Sequence, residues 1–328
     1  MSKLHLEAYT GALSGKDIVV ACREGILRDH FEHIVSDLKF LARQGMKTAL
    51  IHNMSNRFAN QKHFQRLADR LPETHIIRLM PDTDFYQQVL DRTDTAFKLV
   101  FLERRFLQDQ KGRKINAIST QLISDVAGWV GNVNFRNALD RICQKIDAGI
   151  YNRVHIVPAG RQTLRKELLT IEGAGTLIAN NFTETFAPLT MAGLPLVAAM
   201  LDQYSKEGLI KPRDRQYLLE HLPFFYVTRI DDIVVGCVEE KPVDQDTVEL
   251  GALAIATKFR NQRVGVFTVN AFIREMKTKG YHRFISLTRN IKLQQLYLSL
   301  GFRQETPEAF KARQAQSPGV PMYYFELA

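Results

Sequence analysis

A basic turn between a strand pattern and a helix pattern is the first place where chemistry can be expected. The apolar run "ELGALAIA" leads into Arg260 and Arg263, and the helical stretch "GVFTVNAFIREM" follows. Helix N-termini present unpaired N–H groups and a partial positive charge, which suit a phosphate. Gly265 lets the backbone approach a ligand closely, and the arginines add charged donors. The turn predicts an anion-binding site, although basic turns of this kind are more often structural.

A second candidate is the stretch "RNIKLQQLYLSLGF", residues 289–302. Three leucines and Tyr297 recur at i, i+3, i+4 and i+7, which predicts a helix that buries one face. Asn290 suits the N-cap and Gly301 the stop after the last turn. The pattern leaves open whether Tyr297 fills the core or takes part in a reaction.

Both candidates lie in a second half of mixed strands and helices. Hydrophobic periodicity and turn residues set the expected elements. They are a strand at 185–190, helices at 193–208 and 213–222, strands at 224–230, 232–241 and 247–256, a helix at 264–279, a strand at 282–287, the helix within 289–302 and a strand at 322–328.

The first half alternates strands and helices, which predicts helices packed on a mainly parallel sheet. Strands are expected at 17–22, 46–52, 74–80, 96–102 and 153–158, with helices at 27–45, 60–71, 115–130 and 135–149. Glycines and asparagines interrupt the pattern near residue 180. We therefore expect two α/β domains, 1–180 and 181–328, without internal repeats.

Composition narrows the classes of partner. The chain has 328 residues and a formal net charge of +9, which favours anionic partners. Its basic residues are scattered, so we expect an anionic small molecule rather than nucleic acid. Long apolar segments and a secretory signal are missing, so no membrane association is expected. Three widely spaced cysteines fit the cytoplasm and argue against a metal site.

The turn and the helix together resemble the GNAT acetyltransferase superfamily. Arg260-x-x-Arg263-x-Gly265 resembles its pyrophosphate loop, with arginine where the first glycine usually stands. The stretch from Asn290 through Tyr297 to Gly-Phe resembles its N-x-x-A-x-x-L-Y-x-x-x-G-F helix. The predicted element order matches as well. The resemblance implies a mixed-sheet acyl-CoA N-acyltransferase domain.

It also implies direct acetyl transfer from acetyl-CoA, as cosubstrate, to an amine. Glu249 would accept the proton of the amine and Tyr297 would protonate the departing thiolate. Alternatively, Glu249 is a solvent-facing strand residue, Tyr297 fills the core and Asn290 only caps its helix. The implied cofactor-binding set is Ile255, Ala256, Arg260, Asn261, Gln262, Arg263, Val264, Gly265, Val266 and Asn290.

A narrower resemblance is to the N-acetylglutamate synthases. It rests on "RVHIVPAGRQTLRKELLTIEGAGTLI" (153–178), on the element from Gly208 to Arg215 and on "VELGALAI". It implies a shortened amino-acid-kinase-like αβα domain before the GNAT domain, and glutamate as acceptor. Arg213, Arg215 and Lys241 would then bind the carboxylates. Alternatively, Arg213 and Arg215 are two solvent-exposed arginines at the start of a helix, which is an equally simple explanation.

The N-terminal resemblance is weaker. Residues 15–53 resemble the start of an amino-acid-kinase domain, which has glycine runs after its first two strands. In this sequence the corresponding positions are Cys22-Arg23-Glu24-Gly25 and His52-Asn53-Met54-Ser55. Because the glycine runs are replaced, we expect no kinase activity. In full-length synthases this domain binds arginine and builds oligomers. The resemblance therefore implies a homo-oligomer formed through the N-terminal domain.

The sequence thus predicts an acetyltransferase of the glutamate α-amine that assembles or is regulated through its first domain. Two alternatives stay open. One is acetylation of another amino acid or small amine. The other is a non-catalytic sensor of acetyl-CoA or an amino acid, which the replaced glycines favour and which the retention of Glu249 and Tyr297 opposes.

Overall fold

The structure is a computed structural model, and it describes residues 9–55, 67–81, 83–94, 98–170, 172–180, 184–230, 232–260 and 264–327. The chain divides into two compact units, Met1–Phe182 and Thr183–Ala328. Each unit is built on its own seven-stranded sheet. None of the described helices is both long and apolar enough to cross a bilayer.

The N-terminal unit contains a mainly parallel sheet in the order β3-β2-β1-β4-β6-β7-β5. Only β6 and β7 pair antiparallel. Its strands are β1 (Asp17–Cys22), β2 (Lys47–His52), β3 (Thr74–Arg78), β4 (Lys98–Glu103), β5 (Ala117–Ser119), β6 (Val154–Pro158) and β7 (Thr176–Ala179). The five predicted strands correspond to β1–β4 and β6, with residues 96 and 97 outside the described residues, and the mainly parallel pairing is confirmed; β5 and β7 were not predicted.

Helices surround this sheet and bury apolar faces against it. After a helical segment at 9–13 they are α1 (Glu24–Asp29), α2 (Phe31–Arg43), α3 (Leu67–Arg70), α4 (Phe85–Leu90), α5 (Ser124–Ala127), α6 (Val133–Asp147) and α7 (Thr163–Leu169). One continuous apolar cluster joins α4 and α6 to the strands. Burial of this surface is the main stabilising term, at about 25 cal/mol per Å².

Two helix predictions in this unit are wrong. The helix expected at 27–45 is divided into α1 and α2, since His30 has φ −123° and ψ 22°, outside the helical range. The helix expected at 115–130 is replaced by β5, a 3₁₀ turn (Thr120–Leu122) and α5. There, parallel pairing of β5 with β7 outweighs a helical spacing of apolar residues. Part of the helix expected at 60–71, residues 60–66, lies outside the described residues.

The "ELL…GAGT" signature has a structural role. The Glu167 carboxylate is buried; it accepts N–H groups from Ala174 at 2.7 Å and Gly175 at 2.8 Å, and its other oxygen lies 2.7 Å from His155 Nδ1. A Cβ on Gly175 would lie 2.2 Å from the Ile156 carbonyl oxygen. The motif therefore fixes the turn between α7 and β7.

The C-terminal unit is a mixed sheet in the order β13-β14-β12-β11-β10-β9-β8. Its strands are β8 (Glu184–Pro188), β9 (Phe225–Ile230), β10 (Ile233–Pro242), β11 (Thr247–Ile255), β12 (Arg283–Leu287), β13 (Arg303–Gln304) and β14 (Met322–Glu326). Its helices are α8 (Leu194–Lys206), α9 (Arg215–Glu220), α10 (Val264–Thr278), α11 (Ile291–Ser299) and α12 (Lys311–Ala315). The predicted order is confirmed, with β13 and α12 as unpredicted additions.

The helix that carries Tyr297 is α11, and both of its predicted ends are confirmed. The Asn290 side chain accepts the Lys292 N–H at 3.0 Å, and Gly301 has φ +87°, a value that glycine adopts without strain. Tyr297 is 1% exposed and packs against Phe302 and Tyr323. The apolar face of α11 thus closes one side of the C-terminal core.

Candidate active site

The sheet opens between its two central parallel strands. β11 and β12 pair only from Thr247↔Arg283 to Glu249↔Ile285, yet β11 continues to Ile255 and β12 to Leu287. β11 also contains a bulge, where Ala252 has φ +46° and the register against β10 shifts. A bulge leaves its extra residue outside the ladder and bends the strand. Separation and bulge together form a cleft.

A cavity of about 690 Å³ lies at this opening. Its walls come from Glu249 to Ala252 of β11, the end of β12, the loop before α9 and the segment around α12. Among the described residues that line it, one is acidic, Glu249, and five are cationic: Lys211, Arg213, Lys241, Arg289 and Arg313. The cavity is therefore suited to an anionic ligand that also bears a cationic or proton-donating group.

Glu249, the predicted proton acceptor, lies in this cavity but has a partner that the sequence did not indicate. Arg313 Nε donates to Glu249 Oε2 at 2.6 Å and Arg313 Nη2 donates to Oε1 at 2.8 Å. The Glu249 side chain is only 7% exposed. A carboxylate has about four lone-pair positions, so this bidentate pair leaves about two for an amine or a water.

Arg313 is a candidate site residue that the sequence did not indicate. It lies on α12, within residues 303–321, where no element was predicted. Its loop is closed by the Arg289 guanidinium, which donates to the Pro318 carbonyl at 3.0 Å, and by the Gln314 amide, which donates to the Val320 carbonyl at 2.6 Å. The length of this connection was the available signal, because structureless loops longer than about 12–15 residues are uncommon in compact domains.

The predicted acceptor-binding residues have different surroundings. Arg213 Nη2 lies 2.9 Å from a carboxylate oxygen of Glu239, which is 1% exposed. Tyr217 Oη donates to the other oxygen of Glu239. Lys241 Nζ lies farther away, 3.5 Å from the same carboxylate. Much of the Arg213 charge is thus compensated by Glu239, whereas Lys241 has more charge available to a ligand.

The predicted set does not come together completely. Arg215 is exposed at the first position of α9 and is not among the residues that line the cavity. Gly251, which sequence reasoning did not single out, controls the position of Lys241. A Cβ at Gly251 would lie 2.7 Å from Lys241 Cε and 3.0 Å from Glu239 Oε2, closer than such atoms approach.

Tyr297 lies beside the opening rather than in the cavity wall. The Ser286 hydroxyl lies 3.1 Å from the Leu250 carbonyl and 3.0 Å from Tyr297 Oη, within donating distance of both. Its single proton serves one of the two at a time, so the proton of Tyr297 is left for another acceptor when Ser286 donates to Tyr297. Burial raises the pKa of Tyr297 to about 12, the charge of Glu249 acts in the same direction and the Ser286 hydrogen bond opposes them. The phenol is therefore neutral at physiological pH.

The predicted phosphate turn is described at its two ends only. Asn261, Gln262 and Arg263 lie outside the described residues. Arg260 Nη1 forms an ion pair with Glu207 at 3.0 Å, and its guanidinium lies 4.4 Å from the centre of the Tyr204 ring. Arg260 is thus already partly neutralised.

On the helix side, α10 begins at the buried residue Val264. A Cβ at Gly265 would lie 3.4 Å from Leu296, so α10 and α11 approach closely here. Val266 follows in the same first turn of α10 and is half-buried.

The backbone N–H groups of two other predicted cofactor-binding residues already have partners. The Ile255 N–H donates to Tyr204 Oη at 3.0 Å, and the Ala256 N–H donates to the Val235 carbonyl at 2.8 Å. In the part of the chain that is described, no group of three or more metal-ligating side chains was found. The side chains at and beside the opening offer a carboxylate, a phenol and several cations.

Comparison with known proteins confirms the predicted fold. Residues 195–302 match the family model of the acetyltransferase (GNAT) family. The N-acetylglutamate synthase of Neisseria gonorrhoeae, solved with coenzyme A and L-arginine, superposes with a TM-score of 0.57 at 17% identity, and the match covers 98% of each chain.

The chain is also similar in sequence to curated amino-acid acetyltransferases. The amino-acid acetyltransferase of Neisseria meningitidis serogroup B is 23% identical over 197 residues, which is 60% of this chain and 45% of that protein. The enzyme of the same name from Pseudomonas paraeruginosa is 27% identical over 160 residues, covering 47% of this chain and 36% of that protein. The matched part thus spans less than half the length of these relatives.

Proposed function

We propose that the C-terminal unit, a GNAT domain, transfers the acetyl group of acetyl-CoA to the α-amine of L-glutamate. The observation that supports this most is the cavity at the opening between β11 and β12, with five cationic side chains and one carboxylate. Glutamate brings two carboxylates and one ammonium group, so its charges complement those of the cavity. The curated relatives are likewise amino-acid acetyltransferases.

Acetyl-CoA supplies an activated thioester, and the protein must supply a free amine beside it. An ammonium group has no lone pair, so it must first lose a proton. Glu249 accepts this proton, directly or through a water on a lone pair that Arg313 leaves unused. The amine nitrogen then bonds to the carbonyl carbon as the carbon–sulfur bond breaks, and the nitrogen loses its second proton, which balances the proton that Tyr297 gives to the thiolate. The first proton passes from Glu249 to solvent.

Tyr297 donates a hydrogen bond or a proton to the departing thiolate. Ser286 Oγ lies 3.0 Å from its hydroxyl and orients it, and the Tyr297 proton is free to point at the thiolate when Ser286 is the donor of this bond. A raised pKa makes Tyr297 a weaker acid, but it also keeps the donor form present across the physiological range. Access to the thiolate requires the sulfur to enter the opening between β11 and β12, because Tyr297 is otherwise enclosed.

We expect Tyr297→Phe to lower kcat about a hundredfold near neutral pH, which is the usual contribution of a positioned acid. Unchanged turnover from about pH 7 to about pH 9 would contradict the donor role of Tyr297.

The free energy of unfolding of the same variant provides a second test. The folded-state pKa of about 12 exceeds the ordinary value of 10, so Tyr297 stabilises the fold below about pH 10 and this contribution is lost towards about pH 12. Wild type should therefore lose more unfolding free energy over that interval than Tyr297→Phe.

Binding of coenzyme A is proposed at the turn before α10 and along β11. The first turn of α10, with Val264, Gly265 and Val266, would present backbone N–H groups to a phosphate. The backbone N–H groups of Ile255 and Ala256 are engaged, so only their other atoms are available. Arg260 would have to exchange Glu207 for a phosphate. Asn261, Gln262, Arg263 and Asn290 complete the proposed set.

The acceptor side of the proposal is tested with Lys241→Met and Gly251→Ala. The first removes the available ammonium group, and the second displaces it by steric contact with Lys241 Cε. Each should raise KM for glutamate about tenfold, the size of one charge-assisted hydrogen bond, with a smaller change in kcat. Arg215→Gln is the matched control, since Arg215 lies outside the cavity wall.

If both variants keep the wild-type KM while Arg215→Gln raises it, the acceptor site is wrongly placed and the original prediction for Arg215 is correct. Assembly through the N-terminal domain and regulation by arginine stay predictions. So do the two alternatives, another amine acceptor and a non-catalytic sensor.

A further inference from the structure

The N-terminal unit has a second cavity, of about 280 Å³, at the point where the sheet order reverses. β2 and β3 extend the sheet on one side of β1, and β4 lies on the other side. In open α/β sheets, such a reversal forms a crevice at the carboxyl ends of the strands, where ligands bind. Arg23 directly follows β1, and Glu103 to Leu107 end and follow β4; all of them line the cavity.

The polar side of this cavity is positively charged. Arg23, Arg104 and Arg105 line it together with the single carboxylate of Glu103. Glu103 is 6% exposed and already has two partners, Arg23 Nη2 at 3.0 Å and the Tyr86 hydroxyl at 2.6 Å. Arg104 and Arg105 are exposed and form no ion pair with a described residue. Two guanidinium groups thus lie at exposed positions on the cavity wall.

The opposite side is apolar and includes the start of α6. Trp129, Phe135 and Val126 line it, and the indole of Trp129 is 60% exposed. The Asn132 side chain caps α6 by accepting the Phe135 N–H at 3.1 Å. The N-terminus of this 15-residue helix adds partial positive charge.

The turns that follow β1 and β2 are hydrogen-bonded to each other beside this cavity. The Glu24 N–H donates to Asn53 Oδ1 at 2.8 Å, and the Ser55 N–H donates to Glu24 Oε2 at 2.5 Å. These bonds join the turn after β1 to the turn after β2, where glycine runs would otherwise cradle phosphates. Arginine side chains, rather than glycine backbone, are the anion donors that remain.

We propose that this cavity binds a small organic anion, a carboxylate or phosphate with an apolar body, between Arg104, Arg105 and Trp129. The anionic group pairs with the guanidinium groups, and the apolar body stacks on the indole. A volume of about 280 Å³ limits the ligand to a small molecule. The site belongs to the N-terminal unit and does not depend on acetyl transfer.

Trp129 provides a direct test because it is the only tryptophan in the chain. The full-length protein is titrated with benzoate and with phenyl phosphate, while indole emission is recorded. The cation benzylamine serves as a control of similar size. We expect a saturable change with at least one of the two anions, and the better of the two identifies the anionic group. Binding of benzylamine as tight as that of both anions would overturn the proposal.

Variants test whether the arginines carry the binding. Arg104→Gln/Arg105→Gln should raise Kd about tenfold or more, the effect of losing one charge-assisted contact. The matched control Arg43→Gln/Arg141→Gln removes the same charge from exposed positions outside the cavity and should leave Kd unchanged. Glu103→Gln should tighten binding several-fold, because it frees Arg23 of its counter-charge.

Thermal unfolding gives a second readout that does not depend on the emission of Trp129. The better anion should raise the Tm of the wild type and of the Arg43→Gln/Arg141→Gln control, and should raise that of Arg104→Gln/Arg105→Gln much less. Equal Kd values for the two double variants, or no response of either emission or Tm to both anions, would refute the site.

Discussion

Replacement of Glu249 by glutamine is expected to lower kcat for acetyl transfer by about a hundredfold to a thousandfold, the usual range for loss of a general base. The amide is nearly the shape of the carboxylate and can still accept one hydrogen bond from Arg313, so the fold should persist. The affinity for acetyl-CoA should change little, because Glu249 lies on the acceptor side of the opening. Steady-state kinetics and calorimetric titration measure the two quantities.

A pH series separates proton acceptance from a structural effect. The defect of Glu249→Gln should shrink as pH rises towards the pKa of the acceptor amine, because the solution then provides free amine. Glu240→Gln is the matched control: Glu240 is also a buried carboxylate with a cationic partner, Lys279 at 2.6 Å, but it does not line the cavity. Equal kcat losses in the two variants, or a defect independent of pH, would contradict the role of Glu249.

The second large effect is expected at Arg313. Arg313→Gln should lower the unfolding free energy by about 3 kcal/mol, because removal of one partner of a buried ion pair leaves the other charge uncompensated. The remaining partner, Glu249, is 7% exposed. Denaturant unfolding measures this loss. Turnover should fall as well, since Glu249 would no longer be held in its position at the opening.

A double-mutant cycle identifies the pair as the cause. Arg313→Gln/Glu249→Gln should be more stable than the sum of the two single losses predicts, because it leaves no unpaired charge. Lys311→Gln is the control, because Lys311 also lies on α12, two residues before Arg313. It removes an exposed lysine whose partner is Glu308 and should change the unfolding free energy by less than about 0.5 kcal/mol. Additive losses in the cycle would show that Arg313 stabilises the loop by other contacts.

The sequence predicted the C-terminal fold well because its elements follow local rules. The helix around Tyr297 has an apolar stripe, an asparagine cap and a glycine stop, and each is found in the structure. Residues 303–321 have no such periodicity, so α12 was not predicted. Its position is determined by long-range contacts such as Arg313 with Glu249, which sequence spacing does not reveal.

The sequence predicted several of the residues of the candidate site, but few of the contacts between them. Lys241 and Glu249 face each other in register on β10 and β11, and both line the cavity. The partner of Arg213, Glu239, is 26 positions away in sequence, and only strand register and burial bring them together. The role of Gly251 depends on the same register, because Lys241 crosses the space where its Cβ would be.

In the N-terminal unit, local pattern and tertiary pairing disagree at residues 115–130. Apolar residues there have helical spacing, but the sheet has an edge at β7 that takes up β5 as a parallel neighbour. Such pairing is decided by residues about 60 positions away, and strand propensity is strongly context-dependent. The charged cavity between β1 and β4 likewise arises from sheet order.

We propose that the cavity between β11 and β12 directs an acetyl group to the α-amine of glutamate. Release of free coenzyme A from acetyl-CoA, followed with a thiol reagent, measures turnover for glutamate against aspartate, glutamine, other amino acids and polyamines. We expect a clear preference for glutamate, with N-acetylglutamate as the product. Turnover with another amine alone would contradict the acceptor assignment, and binding of acetyl-CoA without turnover for any acceptor would contradict the catalytic role itself.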